Sequence, residues 1–233
     1  MHSLRRFWRS LLAAAEAFLF YPYCVLCDER LADPSRLVCD SCLAGLPRAD
    51  PAILEKGALR ELPNLAVFER IASLWLYSDE VERLIHLLKY QRKPALADPI
   101  AGKLVTLAEE LASRAGAESV LVPVPLHRVR LRERGFNQSA LLAEQVAART
   151  GLTVAADSLK RVRYTRSQAR LTRTERLRNV VGAFRVSSAV QIAGKHCVLV
   201  DDVVTTGATS SACGKELLRA GAQSVSLLTA ARA

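Results

Sequence analysis

The 233-residue sequence contains neither GxxxxGK(S/T) nor GxGxxG. Those absences disfavour a P-loop nucleotide site and a dinucleotide-binding fold. There is no uncharged apolar run of about 18 residues, so no transmembrane segment is expected. Aromatic residues are scarce, at 6%, which leaves few platforms for stacking bases. Acidic residues are outnumbered: the formal net charge is +10, with arginine dominating the basic set. That balance suits polyanionic partners such as nucleic acid, polyphosphate or an acidic membrane surface, without choosing among them. Hydrophobic residues make up 50%, which excludes global disorder, and the length suits one sizeable domain plus a small one.

The first twenty residues, MHSLRRFWRSLLAAAEAFLF, place Leu4, Trp8, Leu11, Leu12, Ala15 and Leu19 on one side of a helical wheel. Arg5, Arg6, Arg9 and Glu16 fall on the other, which predicts an amphipathic helix over 1–20. Packing on the protein or a partner is the first expectation for it; a membrane-surface or export role is the second. Cys24, Cys27, Cys39 and Cys42 follow as two C-x2-C pairs with eleven residues between them. Each pair can turn two thiolates toward one tetrahedral zinc. The connector carries Asp28, Arg30, Asp33, Pro34 and Ser35 and is too polar to build its own core, so a metal would supply folding energy. Two disulfides or a redox C-x2-C are the alternatives. A site of four thiolates is closed, hence structural zinc is expected over 21–48 and no chemistry is assigned to it. Residues 49–66 read as a linker, with prolines, glycine and few large apolar residues.

The stretch HCVLVDDVVTTGATS, His196 to Ser210, carries the densest signal. Cys197 to Val200 read as a buried parallel strand that Asp201 and Asp202 end. Thr205, Thr206, Gly207, Ala208 and Thr209 form a small, hydroxyl-rich turn. A helix should follow, with Cys213, Leu217 and Ala220 on one face and Gly221 past its end. SVSLLT, from Ser224, reads as the next strand. Free N–H groups at a helix start favour a phosphate, and acids beside it suit ribose hydroxyls or magnesium. The order therefore suggests a sugar phosphate. The plain alternative is a strand ending in a polar turn, with Asp202 or a threonine as helix cap.

Upstream, VFERIASLWLYSDE (Val67 to Glu80) predicts an edge strand or hairpin. Glu80 to Tyr90 predicts a helix with Leu84, Ile85 and Leu88 inward, and Gly102 to Ala115 predicts another. Val120 to Val122 is a strand stopped by Pro123 and Pro125, which cannot donate. Arg128, Arg130, Arg132 and Arg134 come next, four arginines in seven positions. They read either as a solvated basic loop or as stabilisers of an anionic leaving group. Asn137 or Ser139 can cap a helix through Arg149, with Leu142 and Val146 inward and Gly151 ending it. Arg161 to Phe184 is arginine-rich and too polar for core over most of its length. It suits a loop closing over a substrate or a nucleic-acid face.

VLVDDVVTTGAT resembles the phosphoribosyl-pyrophosphate (PRPP) signature of type I phosphoribosyltransferases. That resemblance implies that Asp201 and Asp202 hold the ribose 2′ and 3′ hydroxyls, and that Thr205, Thr206, Gly207, Ala208 and Thr209 wrap the 5′-phosphate. Together with PVPLHRVRLRERGFNQ, RSQARLTRTERLRNVVGAF and the leading four-cysteine motif, the chain resembles the ComF family, including GntX-like proteins. The family implies bacterial, cytoplasmic proteins linked to DNA uptake in natural transformation. The implied fold is α/β and type I phosphoribosyltransferase-like, a mostly parallel sheet flanked by helices over 67–233, preceded by a small zinc ribbon. Mg2+ would accompany PRPP; Arg128, Arg132 and Arg134 are candidates for the leaving pyrophosphate, and Arg166, Gln168, Arg173 and Arg176 for a flexible loop. One departure stands out. Gln91, Arg92, Lys93 and Pro94 occupy the place after LLKY where a small residue is expected, so no role is carried to Lys89. The leading expectation is a pentosyltransferase acting on PRPP or another phosphorylated ribose, with no general base and no acceptor legible. The rival is a non-catalytic protein on the same fold that binds single-stranded DNA or DNA-uptake machinery, with Tyr164 and Phe136 as nearby aromatics.

Overall fold

The computed structural model describes residues 22–33, 35–59, 62, 64–90, 93–164 and 179–233. The expected N-terminal helix, and the loop candidates Arg166, Gln168, Arg173 and Arg176, lie outside them. The chain divides into two units at Leu46/Pro47. In the first, Tyr23 bridges Arg30, and Cys39 caps a short helix, α1 (Asp40–Gly45), by accepting from the Cys42 amide. Cys24, Leu31, Val38, Leu43 and Leu46 are its buried hydrophobic residues among those described.

The second unit runs β1 (Ile53–Glu55), α2 (Lys56–Leu59), β2 (Arg70–Leu76), α3 (Asp79–Tyr90), a 3-10 turn (Pro94–Leu96), α4 (Ala97–Ser113) and β3 (Ser119–Pro123). It continues with α5 (Arg128–Arg134), α6 (Gln138–Thr150), β4 (Thr153–Val154), β5 (Leu159–Arg161), β6 (Phe184–Val186), β7 (His196–Val204), α7 (Ala208–Arg219) and β8 (Ser224–Arg232). Six strands form one sheet in the order β1-β2-β8-β7-β3-β4, parallel except for β1 against β2. β5 and β6 pair separately and antiparallel.

Burial explains the central strands. Cys197, Val198, Leu199 and Val200 are fully enclosed, as a strand covered on both faces requires. On one face Cys197 and Leu199 join Val120, Val122, Val225 and Leu227 in a cluster with Cys213 and Leu217 of α7. On the other face α4 packs on β2 and β8, and α6 packs on β3 and β7. The caps hold as the sequence suggests: the Asn137 side chain accepts from the Ser139 amide, and Gly151 ends α6 at φ 74°.

Two elements differ from expectation. β2 is not an edge strand; the antiparallel β1 covers it, and β1 comes from the stretch that reads as a linker. β7 does not stop at the acids but runs to Val204, because β8 keeps pairing: Asp201 with Thr229, Val203 with Ala231, Val204 with Arg232. The other neighbour does stop. β3 ends at Pro123, opposite Val200, so one side of the acids is left open. β3 connects toward β4 and β7 toward β8, in opposite directions across the sheet. That is a switch point, where open α/β sheets form a ligand crevice beyond the strands' carboxyl ends.

Gly207, just before α7, has φ 71°. A Cβ there would lie 2.2 Å from Leu65 Cδ2. Both the backbone region and the close approach exclude a side chain. Gly207→Ala is expected to lower stability by about 1–3 kcal/mol in urea unfolding. An unchanged midpoint would refute the tight seating of Leu65 on this turn.

Candidate functional site

Asp201 and Asp202 lie at the carboxyl end of β7 and are only 7% and 3% exposed. Buried carboxylates need partners, and side chains of α3 and α6 supply them. Ser139 Oγ, in the first turn of α6, donates to Asp201 Oδ1 at 3.0 Å. The Asp202 amide donates to the same oxygen at 2.9 Å. Gln138 Nε2 donates to Asp202 Oδ1 at 3.3 Å. Lys89, near the end of α3, forms an ion pair with Asp202 Oδ2. α3 is placed for this by Val81, Leu84, Ile85 and Leu88, all buried, which leave Lys89 at the rim.

The two acids have unlike electrostatics. Burial, then the neighbouring Asp202 charge, pushes Asp201 up to about 8. Burial would raise Asp202 as well, but the Lys89 ammonium and hydrogen bonds from Asp201 and Gln138 together outweigh it and hold that carboxyl below its ordinary value. Of the two, Asp201 is therefore the carboxyl that holds a proton more readily. Asp201 Oδ1 already accepts twice, so Oδ2 is left to carry the proton.

The turn that follows puts Thr205 at the surface, Thr206 and Thr209 half-buried, and Gly207 and Ala208 buried at the start of α7. Asn64 Nδ2 donates to the Thr206 carbonyl at 3.1 Å and holds the turn from outside. The four arginines of Arg128–Arg134 form a helix rather than a loop, capped by His127 Nδ1 accepting from the Val129 amide at 3.3 Å. Helical spacing sorts them into two faces. Arg128 and Arg132 are exposed, whereas Arg130 and Arg134 are half-buried. Arg134 donates to Gln138 Oε1 and lies 5.0 Å from the centre of the Tyr90 ring. The site thus gathers Asp201, Asp202 and the Thr205–Thr209 turn, brings Arg134 to the acids through Gln138, and leaves Arg128 and Arg132 on the outer face. Sequence reading gives no site role to Lys89, Gln138, Ser139 or Asn64: it sets Lys89 aside and reads Ser139 only as a helix cap. The signals were the lysine of LLKY and the NQS that opens α6; neither forms a recognisable spacing with the acids.

A family model described as "Phosphoribosyl transferase domain" matches residues 86–233. The chain is 36% identical over 206 residues to the DNA utilization protein YhgH of Salmonella typhimurium, covering 87% of this chain and 86% of that protein. It is 27% identical to Competence protein F of Haemophilus influenzae, covering 91% and 86%. It is 26% identical to Competence protein ComFC of Bacillus subtilis, covering 97% and 89%. The chain belongs to the ComF family of phosphoribosyl transferase domain proteins. Like the family pattern, this ComF protein carries a mostly parallel α/β sheet and a four-cysteine cluster near its N-terminus. Among the described residues, no helix is long and apolar enough to cross a membrane.

In that cluster the Sγ atoms of Cys24, Cys27, Cys39 and Cys42 all lie within 4.8 Å of one another. Cys27 and Cys39 are 3.8 Å apart, too far for a disulfide. Zinc–sulfur bonds of about 2.3 Å place the corners of a tetrahedron about 3.8 Å apart, so the cluster can hold one zinc. The Cys39 amide donates to Cys24 Sγ at 3.4 Å and the Cys42 amide to Cys39 Sγ at 3.3 Å, contacts that favour thiolates. Burial opposes ionisation of Cys24, yet amide donation from Cys39, Cys27 and Leu26 brings it down to about 6. Elemental analysis is expected to find about one zinc per chain, lost in a Cys24→Ser, Cys39→Ser double variant. Metal-free wild type with its fold intact would refute a structural zinc.

Lys89→Ala leaves the Asp202 charge enclosed and unpaired. A loss of about 1–3 kcal/mol is expected at pH 7, below that of a fully buried pair because Lys89 reaches the rim. The depressed pKa of Asp202 contributes stability above its ordinary value, and that contribution fades as pH falls through the folded value. The gap between wild type and variant should therefore narrow between pH 7 and about pH 3, below the ordinary carboxyl value of 3.8, in urea unfolding. An equal gap at both pH values would rule out the ion pair as its source.

Proposed function

We propose that this ComF protein binds PRPP, or another phosphorylated ribose, together with Mg2+ and transfers the phosphoribosyl group. The observation that carries the reading is the order of parts at the switch point. Two buried acids lie near the carboxyl end of β7, a hydroxyl turn begins three residues after them, and α7 follows. The acids suit a ribose diol. Asp202 is ionised and accepts from one hydroxyl, while protonated Asp201 can donate to or accept from the other. The amides and hydroxyls of Thr205–Thr209 suit the 5′-phosphate, favoured by the positive end of α7. Arg134, with Arg130 on the same helix face, suits the leaving pyrophosphate; Arg128 and Arg132 would serve it less directly.

Lys89 occupies Asp202 Oδ2, so the acids fit hydroxyls better than a bare cation. Mg2+ bound together with PRPP would supply neutralisation of the departing charge. In the transfer, the acceptor's nucleophilic atom forms a bond to C1 as the C1–O bond to pyrophosphate breaks. Pyrophosphate leaves with that electron pair, and the proton lost by the nucleophile passes to solvent or to the leaving group. The cluster of four cysteines lies in the other unit and takes no part in this step.

A second reading is favoured by two exposed rings. Tyr90 and Tyr164 are 57% and 52% exposed. Tyr90 packs with Arg134, and Tyr164 meets the His127 ring edge at 5.3 Å beside arginine-rich α5. Rings among arginines suit single-stranded nucleic acid. The printed names of the relatives, "DNA utilization" and "Competence", support this partner class. The two readings meet at Arg134 and differ elsewhere: the first rests on the β7 acids and the turn after them, the second on Tyr90, Tyr164 and the outer face of α5.

Calorimetry with PRPP and magnesium tests the first. Binding is expected in wild type and expected to fall at least about tenfold in a folded Asp201→Ala, Asp202→Ala variant, since charged and neutral hydrogen bonds to the diol are both lost. No binding in either protein would sink the transferase reading and leave the arginine and tyrosine surface as the functional one.

A further inference from the structure

Lys89 and Tyr90 close α3, yet they meet different groups. The Lys89 ammonium pairs with Asp202 Oδ2. The Tyr90 ring, 57% exposed, has its centre 5.0 Å from the guanidinium carbon of Arg134, the last residue of α5. Arg134 is tied by a second contact, donating to Gln138 Oε1, and Gln138 Nε2 in turn donates to Asp202 Oδ1. Asp202, Lys89, Tyr90, Arg134 and Gln138 thus form a closed circuit across α3, α5, α6 and β7. Among the described residues no carboxylate pairs with Arg134, so most of its N–H donors are left for an anion. Burial lowers the Arg134 value, and Tyr90, then Asp202, oppose that by favouring the charge. His86, one turn earlier on α3, packs on the same tyrosine at 4.9 Å between ring centres and 41°. The two exposed tyrosines are therefore unlike: Tyr164 meets His127 at the start of α5, and Tyr90 meets an inner-face arginine at its end.

We infer that Tyr90 is a positioning residue that acts through Arg134, and that it makes the crevice select a pyrophosphate-bearing sugar over the sugar monophosphate. The inference rests on the phosphoribosyl reading of β7 and its turn, and it adds the residue that sets the cation for the leaving group. An aromatic face attracts a guanidinium without occupying its in-plane N–H donors. A carboxylate in the same place would take up those donors and cancel the charge. Tyr90 therefore holds Arg134 and leaves it able to bind. Gln138 alone would hold one edge of the guanidinium and let the rest turn about that contact. The ribose diol and the 5′-phosphate are assigned above to other groups, the β7 acids and Thr205–Thr209. Loss of the Tyr90 ring should therefore be felt at the pyrophosphate and little elsewhere.

The test is calorimetry on the full chain with three ligands: PRPP with Mg2+, inorganic pyrophosphate with Mg2+, and ribose 5-phosphate. In Tyr90→Ala the affinity for PRPP and for pyrophosphate should fall about fivefold, while ribose 5-phosphate stays within about twofold of wild type. Tyr90→Phe, which keeps the ring, should bind all three within about twofold of wild type. In an Arg134→Met background Tyr90→Ala should cost nothing further, because the ring acts through the guanidinium. Matched thermal midpoints establish that the variants are folded. Equal weakening of all three ligands in Tyr90→Ala, unchanged PRPP affinity, failure of the phenylalanine to restore it, or a further loss in the Arg134→Met background would each overturn the inference while PRPP binding stands on its own measurement. If PRPP fails to bind wild type but pyrophosphate binds and depends on Tyr90, the positioning role stands and the transferase reading falls. If neither binds wild type, both fall.

Discussion

Two adjacent carboxylates at the enclosed end of a strand cannot both stay ionised, and much of the structure around β7 answers that constraint. One solution is to pair a charge; the other is to keep a proton. Asp202 takes the first, through Lys89. Asp201 takes the second, with its value raised to about 8 by burial and by its neighbour. The result is an asymmetric pair, one acceptor and one group able to donate, presented by a single strand. A ribose diol is neutral and offers both donors and acceptors, so it can meet such a pair without adding charge to a buried site.

Holding that asymmetry requires elements distant in sequence to converge. Lys89 comes from the last turn of α3, and Gln138 and Ser139 from the first turn of α6. They reach the acids only because β3 ends where its prolines begin, one position short of Asp201 in register. Had β3 continued, its backbone would run alongside Asp201 and Asp202, on the side where α6 brings Gln138 and Ser139. The prolines at 123 and 125 thus do more than end a strand: they open the switch-point crevice. On the opposite side β8 continues beside β7, which keeps the acids rigid in a ladder and carries Arg232 level with Val204.

Most of this architecture was legible in the sequence, since it rests on local rules. The buried strand Cys197–Val200, the helix closed before Gly221, the capped α6 and the Cys pairs follow from periodicity, caps and spacing. What escaped depended on pairing between distant segments. The extension of β7 past two acids runs against the rule that charge ends a buried strand; it is permitted by Lys89 and Ser139, which no local pattern ties to Asp201 or Asp202. β1 escaped for a related reason. Ile53–Glu55 is too short to show an alternation, and it becomes a strand only by covering the open edge of β2. The arginines of α5 looked like one basic loop in the sequence, whereas helical geometry divides them into an exposed face and a half-buried one.

That division separates charge by task. The acids are surrounded by a lysine, an amide and a hydroxyl, with the arginine of the inner face held one residue away by Gln138. A direct Arg134–Asp202 pair would compete with an anionic ligand for the guanidinium, and the leaving group would then meet a neutralised arginine. Gln138 prevents this by donating its amide N–H to Asp202 and offering its carbonyl to Arg134. It passes orientation between the two charges without cancelling either. The exposed Arg128 and Arg132 are freed from that arrangement. They face solvent near Tyr164, where they can meet a polyanion whether or not the crevice is filled. On the proposed reading, one short helix would serve the leaving pyrophosphate on its inner face and a longer anionic chain on its outer face.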